Sequence, residues 1–233
     1  MPNFRAQRIA GRMVKASLVL FVAFINAIII WRVFFSANIP EELNQLTKNP
    51  QLSAAYDTVG DEMRFLYQDQ LSLTYGKDSK GYFGVPDFVF IPEADQVQLV
   101  FRYNNSTLRH LAEDFGLAEA PDKAADHFDV TLLKVTDLTP EIADDSNNPD
   151  AVLKTRIAPT SVQRDTTLLY TYYRFVFDGV SLDEDEIASV FLDVYYKEAL
   201  DYEASPYGTL RLYDHLSEWL PYSLSSADKK ALQ

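Results

Sequence analysis

Gln96-Val97-Gln98-Leu99-Val100-Phe101-Arg102-Tyr103 decides the fold. Val97, Leu99, Phe101 and Tyr103 alternate with Gln96, Gln98 and Arg102, the period of two expected of a strand with one buried face. The spacing directs the first four toward a core and the polar three away from it. Just upstream, residues 88–91 are closed off by Pro86 and Pro92 and read as a short edge strand, since proline cannot donate to a ladder.

Downstream, residues 128–135, 153–157, 168–177, 190–196 and 209–213 are further strands. Residues 168–177 are apolar on both faces, which suits a central strand. Between Asn105 and Leu117 the period lengthens. Leu108, Leu111, Ala112 and Phe115 are spaced for a helix that Asn105 or Ser106 caps and Gly116 ends. Met63, Phe65 and Tyr67, then Leu71, Leu73 and Tyr75, resume the alternation and predict one or two more strands.

Seven or eight short strands, one inserted helix and no β-α-β rhythm predict a mainly β fold. The expected form is an antiparallel β-sandwich, with an immunoglobulin-like Greek key ahead of a jelly roll. The Cys…Trp…Cys signature of antibody domains is absent, so this expectation rests on strand number and patterning.

The 233 residues carry a net charge of −13, and 47% of them are hydrophobic, enough for a substantial core. Such acidity argues against a nucleic-acid partner, because phosphate binding needs Lys and Arg to displace counterions. There is no cysteine, which removes disulfides, thiolate metal sites and cysteine nucleophiles together. The charge is unevenly placed. All 34 acidic residues follow position 35, against sixteen basic ones there, a net −18, while Arg5, Arg8, Arg12 and Lys15 give the first fifteen residues +4.

Between these regions, residues 16–35 form an apolar stretch of roughly 30 Å as a helix at ~1.5 Å per residue, matching a bilayer core. Trp31 and Arg32 suit its interfacial end, and Asn26 sits near mid-span. A cleaved secretory signal is the competing reading. The stretch is long for that, and Phe35 falls where a small residue is wanted for cleavage before Asn38. The expected arrangement is therefore a cytoplasmic basic tail over residues 1–15, a transmembrane helix over 16–35 and a juxtamembrane helical stalk over 36–60. An extracytoplasmic sandwich over 61–224 and a short tail over 225–233 follow. Absence of cysteine from an exported domain suits a bacterial envelope.

Motifs for chemistry are sparse. His110, His127 and His215 have no metal-ligand spacing, and no glycine-rich phosphate loop occurs. Two oxygen-rich loops are candidate Ca2+ sites, one carrying Asp144, Asp145 and Asp150 and the other Asp183 and Asp185. Both read equally as solvated loops. Tyrosine is enriched toward the C-terminus, and Tyr195, Tyr202, Tyr207 and Tyr213 are candidate ligand-binding residues on an exposed aromatic strip. Asn104 and Asn105 each open a glycosylation-acceptor pattern that matters only in a eukaryotic secretory route. The expected function is a membrane-anchored binding or accessory module for an envelope protein or a glycan. The alternatives are an anchored hydrolase with converging carboxylates and a structural subunit of a membrane complex.

Overall fold

The computed structural model describes residues 4–34, 38–68, 78, 80–137, 152–182, 187–199, 205–214 and 218–232. They form two compact units, Met1–Asn38 and Ile39–Gln233. The first is one helix, α1 (Phe4–Phe34), whose stretch Met13–Trp31 is long and apolar enough to cross a membrane and is nowhere buried by protein. Asn26 donates its Nδ2 to the Val22 carbonyl at 2.9 Å, so the helix backbone one turn back takes up that polar group.

The second unit is mainly β. Its strands are β1 (Leu66–Gln68), β2 (Phe83–Ile91), β3 (Gln96–Asn104), β4 (Phe128–Asp137) and β5 (Val152–Ile157). They continue with β6 (Ser161–Thr166), β7 (Tyr170–Asp178), β8 (Ile187–Tyr196), β9 (Gly208–Asp214) and β10 (Trp219–Pro221). Two antiparallel sheets result, a six-stranded one in the order β10-β1-β2-β3-β7-β6 and a four-stranded one in the order β5-β4-β8-β9. Hairpins β2–β3 and β6–β7 lie in the first, and β4–β5 and β8–β9 in the second.

Val97, Leu99, Phe101 and Tyr103 of β3 meet Val130, Leu132, Leu192 and Val194 of the other sheet in one shared core, so the alternation in β3 was correctly directed. Leu108 and Leu111 of the helix Thr107–Phe115 join that core. Gly116 ends this helix in the left-handed region, φ 64°, as expected, but neither Asn105 nor Ser106 supplies a side-chain cap. Gly208 opens β9 where a Cβ would lie 2.7 Å from the Phe83 ring. Gly208→Ala should therefore destabilise by about 1–3 kcal/mol, read as a lowered melting temperature; an unchanged melt would show that the ring moves freely.

Several expectations are corrected. The segment at 88–91 is part of a nine-residue strand that runs inside the six-stranded sheet, between β1 and β3. Pro86 is accommodated because the register with β3 shifts between Gly84 and Asp87, a bulge that needs no donor there. Strand β6 escapes the alternation rule because its SVQRDT sequence is an edge with little to bury. Of residues 63–68 only Leu66–Gln68 is strand, and 71–75 lie outside the described residues.

The stalk is the largest correction. Residues 39–62 are folded onto the outward face of the six-stranded sheet. They carry helix α1's neighbour in sequence, α2 (Pro50–Val59), started by Asn49, whose Oδ1 accepts from Leu52 N–H at 2.9 Å. Leu46 and Leu52 pack with Val89 and Ile91, and Leu43 packs with Val100 and Tyr172. These sheet residues point away from the central core, so the sheet needs a second cover. The helix after α2, Thr107–Phe115, is α3, and the C-terminal α4 (Ser226–Leu232) completes that cover. It is no loose tail: Leu232 is buried, and Asp228 accepts from Leu46 N–H at 2.7 Å. Ser225 and Asp228 cap α4 reciprocally, with Ser225 N–H to Asp228 Oδ2 at 2.9 Å and Asp228 N–H to Ser225 Oγ at 3.1 Å.

Candidate functional site

Alternation along β4 and β8 sends Val130, Leu132, Leu192 and Val194 inward, which leaves Asp129, Thr131, Asp193 and Tyr195 on the outward face of the four-stranded sheet. There Tyr195 borders a cavity of about 430 Å³, together with Asp129, Val130, Thr131, Arg156, Ala158 and Pro159. Arg156 comes from edge strand β5 and Asp129 from the centre of the sheet, so opposite charges border the same hollow. Asp129, Arg156, Thr209 and Arg211 are exposed on this face.

Tyr195 itself is only 5% exposed, which corrects the expectation of an open ring. Residues 158 and 159, past the end of β5, line the same hollow and make Tyr195 a wall rather than a platform. Its hydroxyl lies 3.4 Å from Asp193 Oδ2, while Thr209 donates to Asp193 Oδ1 at 2.8 Å. Burial, with the Asp193 charge, pushes the Tyr195 hydroxyl pKa up, and Arg156 acts in the opposite sense. Lys197 spans Asp126 at 2.8 Å and Asp129 at 3.1 Å. Burial would lower the lysine, but its two carboxylate bonds raise it. For Asp126, burial acts upward, yet the bonds from Lys197 and from Tyr173 hold the carboxyl below its usual range.

The other sequence candidates do not join this groove. Tyr207 is hydrogen-bonded through its backbone N–H to Val194 O at 2.7 Å, but its ring belongs to an aromatic group at one end of the unit. That ring lies 6.2 Å from Tyr82, its hydroxyl donates to Asp114 at 2.6 Å, and Lys80 Nζ sits 3.6 Å over it. Tyr82 in turn stacks on His110 at 4.9 Å. Tyr213 is 3% exposed and faces the core, stacked on Trp219 at 5.3 Å. The register shift between Val190 and Phe191 turns it inward beside Leu212, against the simple alternation. The exposed strip is thus dispersed into a groove wall, an end cluster and a core residue.

Tyr202, Asp144, Asp145, Asp150, Asp183 and Asp185 lie outside the described residues. Among the described residues no group of three or more His, Asp or Glu is placed to hold a metal ion. Sequence reasoning missed Arg156 and Asp129, which are brought to Tyr195 by the pairing of β4 with β5 and of β4 with β8. Compared with protein-family models, with curated proteins and with solved structures, the chain matches none of them.

Proposed function

We propose that the chain is a single-pass, membrane-anchored binding module whose β unit is extracytoplasmic and takes a glycan in the Tyr195 groove. The groove carries this reading. Its walls combine an aromatic ring, a cation, a carboxylate and a hydroxyl around about 430 Å³, a size and polarity suited to a polar ring-shaped ligand. Asp129 is already bonded by Lys197, and Asp193 by Thr209, which leaves them acceptors in fixed positions rather than a mobile acid–base pair. That favours binding over hydrolysis. Four basic residues ahead of the apolar stretch 16–35 support a cytoplasmic N-terminus.

Glycan-array binding and calorimetry on the full chain test the ligand class. Tyr195→Ala and Arg156→Ala should each weaken binding by about tenfold or more, with the fold intact. Capture of an envelope protein that both variants retain, with no glycan bound by the native chain, would move the function off this groove. Orientation is tested with Glu119→Cys, an exposed site in a chain with no other cysteine. A membrane-impermeant maleimide should label it before lysis; labelling only after lysis would reverse the topology.

A further inference from the structure

A second cavity, of about 290 Å³, opens at the other sheet, lined by Tyr82, Gly84, Arg102, Asn104 and Tyr170 with Gly81, Phe83 and Tyr103. Arg102 is directly opposite Gly84 on β2 and opposite Tyr172 on β7, so its side chain and any side chain at position 84 share the outward face of the sheet. Its guanidinium lies 4.9 Å from the Tyr170 ring, which fixes the cation at the cavity wall. Asn104 Oδ1 accepts from Ser106 N–H at 2.9 Å, so what its amide still offers a ligand is N–H donors.

The charge around this cavity is unusual for so acidic a unit. Arg102 is the one charged residue among the described residues that line it. The nearby carboxylates of Asp78, Glu113 and Asp114 raise the Tyr82 hydroxyl pKa, behind its burial in importance, but none of them borders the cavity. Lys80 is paired with Asp114 at 3.8 Å. Gly84 completes the cradle. Its backbone does not need glycine, and a Cβ there would meet no atom within 4 Å, so any side chain would enter the open space.

We propose that this cavity binds an organic phosphate of glycerophosphate size, with Arg102 and Asn104 donating to the phosphate between the Tyr82 and Tyr170 rings. A guanidinium offers two parallel donors that match phosphate oxygens, and flanking phenols suit the polyol. The phosphate can belong to a bilayer lipid headgroup or to a soluble ester.

The test uses the full chain in alkyl maltoside micelles, which carry no phosphate, titrated calorimetrically with glycerol phosphate. Saturable binding is expected, weakened about tenfold or more by Arg102→Gln and lost in Gly84→Leu, which fills the cavity. Tyr195→Ala, in the separate groove, should leave it unchanged. Adding phosphatidylglycerol to the micelles separates the sources: competition with the soluble ester marks the headgroup as occupant, and no competition marks the soluble ester. If the native chain binds neither glycerol phosphate nor phosphatidylglycerol differently from both variants, the cavity is not a phosphate site.

Discussion

A chain begun at residue 61 should fail to fold, whereas one begun at Asn38 should melt cooperatively. The first removes Leu43, Leu46 and Leu52, all buried against the six-stranded sheet. Each such side chain is worth roughly 2–3 kcal/mol. Polar losses are added. Gln98 exchanges two hydrogen bonds with the Thr47 backbone, at 2.8 and 2.9 Å, and Asn49 bonds Asp178 at 3.1 Å. The lost segment also covers Gln98, so water replaces these partners and the cost beyond packing is the net worth of the two bonds, about 0.5–1.5 kcal/mol each. The sum, about 7–12 kcal/mol, is as large as the about 5–15 kcal/mol that ordinarily separates folded from unfolded chains. Circular dichroism melts and dispersion of amide NMR signals on both truncations decide it. A cooperative melt from the shorter chain would mean that residues 39–60 are dispensable, a stalk after all.

The reason the sequence misreads this segment is physical. Alternation reports which residues share a face, and it placed Gln96, Gln98 and Arg102 opposite the core correctly. It does not report whether that face meets water or a further layer. Gln96 and Gln98 are both fully buried, with Gln98 Nε2 donating to Gln96 Oε1 at 2.7 Å, so polar residues line a protein–protein contact within one chain. The visible clues were Val100 and Ile91, apolar residues on the supposed solvent side, and Leu43 and Leu46 just after the apolar helix. The groove was half legible. Tyr195 could be named from its place in a strand, while Arg156 and Pro159 reach it only through the pairing of β4 with β5. Tyr213 shows the complementary failure, since one extra residue at a bulge reverses every facing after it.

The second large effect concerns Arg174. It sits in the strand whose apolar sequence marks it as central, and it is 1% exposed. Its Nη1 donates to Leu43 O at 3.0 Å and to Asp87 Oδ2 at 3.1 Å, joining β2, β7 and residues 39–62, which act as a strap across the sheet. Tyr222 O–H donates to the other Asp87 oxygen at 3.1 Å, which draws β10's neighbour in sequence into the same network. Arg174→Ala leaves the Asp87 carboxylate in a mostly buried place without its counter-ion, and opens a void the length of the arginine stem. Breaking a buried pair in this way costs about 3–5 kcal/mol, and the melting temperature should fall on the order of 10 °C. Arg174→Met keeps most of the stem and should lose less. Adding Asp87→Asn to Arg174→Met removes the orphaned charge while leaving an acceptor for Tyr222, and should recover part of the loss. The exposed Arg64–Glu93 pair, at 2.6 Å, is the contrast. Arg64→Ala should cost less than ~1 kcal/mol and fade as salt is added, whereas the Arg174 effect should persist, because solvent ions screen only charges that water reaches. If Arg174→Ala melts within a degree or so of the native chain, at a scale where ~1 kcal/mol shifts a domain this size by a few degrees, the strap is not pinned through this guanidinium.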